Sequence, residues 1–240
     1  MRRRGRLRPT LKAGCSPWLM RRTPEPELME GEEQARAYAA ADFSAGDQAL
    51  IERLLELFPD GLGERLLDLG CGPGNISFRL AERCAGAQVL GIDGAAAMLE
   101  LASASLAASP ALQPRLRFEQ RCLPDPSLTG AFTALVSNSL LHHLHEPAVL
   151  WQALPPLAAP GARVYVKDLR RPATAAAALA LQQRYLAEAP AVLQHDYIAS
   201  LHAAFTPEEV QHQLEAAGLA DRLQVAALED RYLEVWGRLF

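Results

Sequence analysis

Cysteines are few in this chain, and no two of them form a C-x-x-C pair: the four are Cys15, Cys71, Cys84 and Cys122. That spacing argues against a structural zinc site, and reduced thiols in a cytoplasmic protein are the expectation. Long apolar runs are also missing, because no stretch approaches the roughly 20 residues that a bilayer-spanning helix requires. The basic start has no sufficiently long apolar segment after it, so no secretory signal is predicted.

Acidic residues are absent from residues 1–22, which carry eight basic groups. This segment is predicted to be a disordered basic tail, with an organelle transit peptide or a nucleic-acid contact as alternatives. The remainder holds 16 basic against 28 acidic residues, a net charge of −12. An acidic body is a poor match for a phosphate backbone, so nucleic acid is not the expected partner.

The rest of the chain is long enough for one domain with appendages. Residues 23–43 are predicted to be a linker and an N-terminal capping helix, and residues 44–240 the main domain. Helices are predicted over 47–58, about 73–85, 94–108, 148–157, 173–189 and 207–218. Strands are predicted over 65–68, 88–92, 116–120, 131–137, 163–167, 223–228 and 231–236. This alternation predicts an α/β fold, a Rossmann-like doubly wound sheet of about seven strands with helices on both faces.

The stretch from Arg65 to Asn75, RLLDLGCGPGN, combines a strand, a glycine turn and the start of a helix. Such a turn lets a ligand approach the backbone, and the helix start offers free N–H groups. Asp93 ends the next strand and is suited to hold a ribose diol. The G-x-G-x-G spacing differs from the dinucleotide pattern, and the Asp68 carboxylate before the turn disfavours a phosphate and suits an ammonium or sulfonium ligand.

With these residues the chain resembles the class I S-adenosylmethionine-dependent methyltransferases. The family's first motif, D-x-G-x-G-x-G, is matched by Asp68 and the three glycines after it, and the family's acidic residue after the second strand is matched by Asp93. The LHHL segment at 141–144 and the Pro160-Gly161 turn are further matches. The resemblance implies S-adenosylmethionine as cofactor and a C-terminal antiparallel hairpin in an otherwise mostly parallel sheet.

The resemblance also implies a set of cofactor-binding residues. They are Asp68, Gly70, Cys71, Gly72, Gly74, Asp93, Gly94, Met98, Cys122, Leu123 and Asn138. One of them departs from the family, in which an aspartate after the third strand holds the adenine amino group. Cys122, or alternatively Arg121, stands there in this sequence, so backbone groups and Leu123 are expected to sandwich the ring.

The resemblance implies in-line methyl transfer, for which the protein mainly positions the reactants and excludes water. Candidates for a catalytic base are His142, His143 and Asp168. A metal site at these histidines is not expected, because adjacent helical side chains point about 100° apart and no carboxylate partner stands out. Candidates for substrate binding are Tyr38 and Phe43, which precede the domain, and Tyr185, His195 and Tyr197, which lie in the segment 170–204 expected to cover the acceptor.

The acceptor is expected to be a small molecule, because the acidic body and the missing N-P-P-[YF] motif both disfavour a nucleic-acid base. Two alternatives remain at this stage. The chain could be a non-catalytic module that binds S-adenosylmethionine, which the cysteine at position 122 favours. It could also be an NAD-dependent oxidoreductase, which the glycine spacing and Asp68 oppose. The sequence indicates no oligomeric state.

Overall fold

The structure, a computed structural model, describes residues 20–26, 28, 31, 38 and 41–240. Most of the predicted tail and of the helix predicted over 29–41 therefore lies outside the described residues. The last residues assigned to the tail are an exception. Met20 donates a backbone hydrogen bond of 2.8 Å to the Ala173 carbonyl, and Arg22 Nε donates one of 2.6 Å to the Ala203 carbonyl. Residues 20–26, here called the N-terminal strap, are thus packed against the domain.

Seven strands and seven α-helices make up the described part of the domain. The strands are β1 (Arg65–Leu69), β2 (Gln88–Asp93), β3 (Leu116–Gln120), β4 (Phe132–Asn138), β5 (Ala158–Leu169), β6 (Leu223–Leu228) and β7 (Tyr232–Leu239). The helices are α1 (Ser44–Leu57), α2 (Asn75–Arg83), α3 (Ala96–Ala107), α4 (Ala148–Leu157), α5 (Ala175–Leu186), α6 (Ala191–Ala203) and α7 (Pro207–Ala216). A 3₁₀ turn spans Leu141–His143.

All seven strands form one sheet in the order β3-β2-β1-β4-β5-β7-β6. Strands β1 to β5 pair in parallel, whereas β7 pairs antiparallel with both β5 and β6. This confirms the predicted α/β sheet with its C-terminal antiparallel hairpin. The strand order reverses beside β1, so the carboxyl ends of β1 and β4 open a crevice of the kind that binds ligands in such sheets.

The core lies on both faces of the sheet, as the nearly continuous apolar strands require. On one face, Leu50 and Leu54 of α1 and Leu80 of α2 pack on the strands. On the other face, the fully buried Trp151 of α4 packs with residues of α7, and its indole N–H donates to Gln213 at 2.9 Å. These two layers fix the strand ends that form the crevice.

Two segments differ from the sequence prediction. Strand β5 begins at Ala158 rather than at residue 163, because its register against β4 shifts and the predicted Pro160-Gly161 turn becomes an irregularity inside the strand. Gly161 has a φ of 73° there, which a residue with a side chain rarely adopts. The segment 190–197, predicted as a loop or a short helix, is the start of α6. Pro190 immediately before it suits a helix start.

Candidate active site

A cavity of about 800 Å³ lies at the carboxyl ends of the central strands. Its floor is the glycine turn after β1, the end of β2 and the segment after β4. Helices α5 and α6 and residues from before α1 form its other walls. The volume is within the range of small-molecule sites. We call this cavity the cleft.

The glycine turn presents bare backbone to the cleft. The amides of Gly70 and Cys71 both donate to the Ile92 carbonyl at 2.9 Å, which ties the turn to β2. Gly70 has a φ of 71°, and a Cβ there would lie 2.9 Å from Leu140. At Gly72, with a φ of 54°, a Cβ would meet no atom within 4 Å. A ligand can therefore approach the backbone of Gly72 closely.

Asp93 is fixed at the edge of the cleft by the backbone. Its two carboxylate oxygens accept hydrogen bonds of 2.8 Å from the amides of Gly72 and Ala95. Burial raises the pKa of Asp93, and these amide hydrogen bonds oppose that shift. Each carboxylate oxygen can accept more than one hydrogen bond, so Asp93 remains able to receive the hydroxyls of a ribose.

Asp68 lines the cleft, but its side chain is anchored inside the fold. It is 1% exposed, and Ser77 Oγ of α2 donates to its Oδ2 at 2.6 Å. Burial raises the pKa of Asp68 to about 7, against the effect of the Ser77 hydrogen bond. The carboxyl group of Asp68 therefore links β1 to α2. In its ionised form it also places a negative charge beneath the glycine turn.

The other predicted cofactor residues divide into two groups. One group lines the cleft and consists of Cys71, Gly94, Met98, Cys122, Leu123 and Asn138. Gly74 is not among the lining residues, because it lies under Phe118, 2.7 Å from where a Cβ would be, and supports the packing of α2. Gly94 is close to Cys122 in the same way, since a Cβ on Gly94 would lie 2.9 Å from the Cys122 sulfur. Position 94, directly after β2, therefore requires a residue without a large side chain.

His142 is held by Asp168, which is not itself a lining residue of the cleft. His142 Nδ1 lies 2.5 Å from Asp168 Oδ1, and the amides of Leu141 and Leu169 both donate to this carboxylate at 2.7 Å. Asp168 is 1% exposed. Asp168, predicted as a candidate catalytic base, is therefore placed instead as a positioning residue for His142.

Glu25 of the N-terminal strap is the carboxylate that sequence reasoning missed. Its Oε1 lies 3.4 Å from His142 Nε2 and 3.5 Å from His143 Nδ1 and makes no hydrogen bond to the described residues. Its Oε2 accepts a hydrogen bond of 3.3 Å from Ser200 Oγ. Burial disfavours the charged form of His142, but Asp168 and Glu25 outweigh it and raise the pKa of His142. Burial and the neighbouring His142 lower the pKa of His143 to about 3.

The expectation that these histidines have no carboxylate partner is therefore wrong. His142 has carboxylates on both sides, and ligand atoms of Glu25, His142 and His143 lie within 4.8 Å of one another, as a metal site would require. The rings of the two histidines, which lie in the 3₁₀ turn, are 4.2 Å apart at 35°. His143 stays neutral at physiological pH and lines the cleft.

Four of the five predicted substrate residues line the cleft: Tyr38, Phe43, Tyr185 and Tyr197. The Tyr38 and Phe43 rings contact each other at 4.8 Å, and Tyr38 also packs against Met98. The fifth, His195, is exposed and is not among the lining residues, so its placement in the site is corrected. Helix α6 lines the cleft through Leu193, Asp196, Tyr197 and Ser200, a helical stripe that excludes position 195.

Two basic residues of the cleft were also missed. Lys167 precedes Asp168 at the carboxyl end of β5, and Arg231 lies just before β7. The position of Lys167 at a parallel strand's end was a usable signal. Nothing in the sequence near Arg231 indicated a site. Ser139 is a third missed lining residue, with a φ of 59° that marks backbone strain beside the cleft.

Comparison with known proteins finds a family match for part of this site. Residues 66–161 match the family model described as "Methyltransferase domain". This range includes the glycine turn, Asp93 and both histidines, and it ends before Lys167, Asp168 and helices α5 and α6. The part of the cleft lined by Lys167, α5 and α6 therefore lies outside the family match.

Three curated relatives that match this chain are named as methyltransferases. Trans-aconitate 2-methyltransferase of Deinococcus radiodurans is 39% identical over 107 residues, 43% of this chain and 38% of that protein. Ubiquinone biosynthesis O-methyltransferase of Aeromonas salmonicida is 32% identical over 67% of this chain and 64% of its own length. The 23S rRNA (uracil(1939)-C(5))-methyltransferase RlmD of Shewanella piezotolerans is 31% identical over 46% of this chain and 31% of its own length. The chain thus matches between about one third and two thirds of these relatives.

The fold extends further than the sequence match. A crystal structure of a SAM-dependent methyltransferase from Aquifex aeolicus superposes with a TM-score of 0.61 and 18% identity, over 86% of this chain and 98% of that one. At this identity the superposition shows a common fold. Together with the methyltransferase domain matched over residues 66–161 and the curated relatives, this fold supports a class I S-adenosylmethionine-dependent methyltransferase.

Proposed function

We propose that this protein transfers a methyl group from S-adenosylmethionine to a small-molecule acceptor bound in the cleft. The observation that carries the proposal is the continuity of one cavity of about 800 Å³ from the glycine turn to helices α5 and α6. A cofactor on the turn and an acceptor under the helices would share this cavity. We call the part around the glycine turn and the end of β2 the cofactor half, and the part under α5 and α6 the acceptor half. Sharing the cavity would place the two reactants side by side, which is the main requirement of methyl transfer.

The cofactor half has the donors and acceptors that S-adenosylmethionine needs. Asp93 would accept hydrogen bonds from the ribose, and the open backbone at Gly72 would lie against the amino acid part. Met98 and Leu123 would pack on the adenine ring, with Cys122 in place of the usual aspartate. The bound cofactor supplies an activated methyl group on a sulfonium, whose positive charge the Asp68 carboxylate would favour.

The protein's own part in the reaction is to orient the acceptor and to exclude water. His143 is the candidate base for an acceptor that must lose a proton, because it is neutral and lines the cleft. His142 is less suited, since Asp168 and Glu25 favour its protonated form. The charge on His142 would instead keep the residues beneath the acceptor half in position.

A small acceptor is favoured over a nucleic acid by the walls of the cleft. Tyr38, Phe43, Tyr185 and Tyr197 surround the space beyond the cofactor turn, and the chain beyond residue 22 has a net charge of −12. An extended polyanion would be repelled by the negatively charged protein surface, and inside the cleft it would meet aromatic side chains. The segment 170–204 would serve as the cover that sets acceptor selectivity.

The test is incubation with methyl-labelled S-adenosylmethionine and cell extract, followed by separation of small molecules, RNA and protein. Label in the small-molecule fraction supports the proposal, and label in RNA contradicts it. Thermal shifts with S-adenosylhomocysteine and with NAD provide the cofactor control. Stabilisation by S-adenosylhomocysteine without any transfer would identify a non-catalytic binding module, and stabilisation by NAD alone would identify an oxidoreductase.

A further inference from the structure

Two positive charges lie together in the acceptor half of the cleft. Lys167 is 6% exposed, and its Nζ lies 4.1 Å from the centre of the Tyr232 ring. The Arg231 guanidinium lies 3.5 Å from the centre of the Tyr185 ring and 4.7 Å from that of Tyr232. Both cations therefore lie close to the Tyr232 ring, and all four side chains line the cleft.

Neither cation has a carboxylate partner within 4.0 Å among the described residues. Buried charges are normally paired, and the acidic groups near this pair are engaged elsewhere. Glu234 binds Arg53 at 2.8 Å, and Asp230 accepts from Tyr185 at 2.7 Å and from Arg184 at 2.9 Å. The Arg231 Nε is buried and makes no hydrogen bond to any described residue.

The remaining acidic groups around Lys167 do not neutralise it. Glu229 and Asp47 attract its charge from a distance, while Arg231 repels it. Glu229 is exposed, and Asp47 contacts Arg79 at 3.9 Å. Burial is the largest effect on Lys167 and lowers its pKa. Stacking on tyrosine rings offsets part of the cost of burying these cations. The Tyr197 hydroxyl interacts with Arg231, but no carboxylate among the described residues pairs with either cation.

The position of the pair matches the place of an acceptor. Lys167 is in register with Asn138 of β4, a predicted cofactor residue, so it is one strand away from the cofactor floor. Tyr185 belongs to α5, which walls the far side of the cleft. An anion between Lys167 and Arg231 would thus lie beyond the cofactor and under the covering helices.

We propose that Lys167 and Arg231 bind a carboxylate of the methyl acceptor, so that the acceptor is a small organic acid. The inference rests on the proposed function, because it concerns the acceptor half of the same cleft. Tyr185 and Tyr232 would line the sides of the carboxylate site, and the apolar residues Leu140, Leu186 and Leu193 would contact the body of the molecule.

Benzoate is the probe, because it joins one carboxylate to a small apolar body. Calorimetric titration of benzoate into protein saturated with S-adenosylhomocysteine should show saturable binding. Lys167→Met and Arg231→Gln should each weaken that binding by about tenfold or more, the usual loss for one charged hydrogen bond. Their affinity for S-adenosylhomocysteine should stay within about twofold of wild type, since neither residue belongs to the cofactor half.

Arg184→Gln is the matched control, because Arg184 precedes Tyr185 on α5 but is 68% exposed, pairs with Asp230 and does not line the cleft. It should bind benzoate like wild type.

The melting temperature distinguishes a binding role of Lys167 from a structural role. Removing a buried, unpaired cation should leave the melting temperature of Lys167→Met unchanged or higher, whereas loss of a structural clamp would lower it.

The remaining outcomes of these titrations would contradict either the carboxylate site or the proposed function. Equal benzoate binding by wild type and both variants, or no binding by wild type, overturns the carboxylate site. Tighter binding of inorganic phosphate than of benzoate overturns the assignment to organic acids. Failure of wild type to bind S-adenosylhomocysteine is separate from these results and counts against the proposed function itself.

Discussion

His142 Nδ1 lies 2.5 Å from Asp168 Oδ1, and both side chains are almost fully buried. Asp168→Asn keeps the shape but removes the charge that stabilises the imidazolium. Breaking a buried pair from one side leaves the other charge uncompensated, so we expect a loss of about 3 kcal/mol in the free energy of unfolding. Chemical denaturation of Asp168→Asn, His142→Asn and the double variant measures it. The double variant should lose less than the sum of the single losses, and additive losses would contradict the coupling.

Asp93 should contribute to cofactor affinity through its charge. Asp93→Asn retains the size of the side chain but replaces one acceptor oxygen by an amide, which disturbs the bonds from Gly72 and Ala95 and weakens the ribose contact. We expect the affinity for S-adenosylhomocysteine to fall by about 1.5–3 kcal/mol, roughly 10- to 100-fold in Kd. Calorimetry measures the change.

The matched control for Asp93 is Asp125→Asn. Asp125 follows β3 and is paired with Arg121 at 2.7 Å, and it is not a lining residue of the cleft. Its replacement should leave the Kd for S-adenosylhomocysteine unchanged. An unchanged Kd in Asp93→Asn as well would mean that the ribose is bound elsewhere.

The fold and the cofactor half of the site could be predicted from the sequence because their signals are local. The strand, the glycine turn and the helix at residues 65–83 follow one another in the chain, and the turn conformation depends on residues only two apart. Asp93 required one further step, the parallel pairing of β1 and β2. Apolar strands alternating with amphipathic helices then fixed the architecture.

Four aromatic residues of the acceptor half were predicted from the sequence, but its charged residues were not, because they meet only through the tertiary fold. Lys167 and Arg231 are brought together by the antiparallel pairing of β5 and β7, and Glu25 arrives from a segment whose prolines indicated a linker. The misplacement of His195 has a local cause. Without recognition of α6 as a helix, the inward stripe through Leu193 and Tyr197 could not exclude position 195.

Asp68 should make stability depend on pH in an unusual direction. Its pKa is raised by burial to about 7 in the folded protein, against about 4 when unfolded. The raised value favours the folded state at low pH, and this contribution disappears as pH rises through about 7. The stability of wild type relative to Asp68→Asn should therefore decrease between about pH 4 and pH 7, by at most about 1.4 kcal/mol per pH unit, and level off at higher pH.

Urea denaturation of the protein without cofactor, at several pH values, checks this prediction. Ser77→Ala is an informative second variant, because Ser77 donates to Asp68 and favours its charged form. Its loss should move the pH-dependent region upward. A difference between wild type and Asp68→Asn that does not vary with pH would show that Asp68 is charged in the fold at all these pH values.

The histidine cluster should not require a metal ion. Glu25, His142 and His143 are close enough to hold one, but Asp168 and Glu25 favour the protonated form of His142, and a protonated imidazole has no lone pair for a metal. We expect purified protein to contain no stoichiometric zinc by elemental analysis, and methyl transfer to survive dialysis against EDTA. Glu25→Gln should lower the melting temperature equally with and without added zinc, because it removes an ion pair. Stoichiometric zinc whose removal abolishes transfer, and whose binding Glu25→Gln weakens, would instead make these three residues a metal centre.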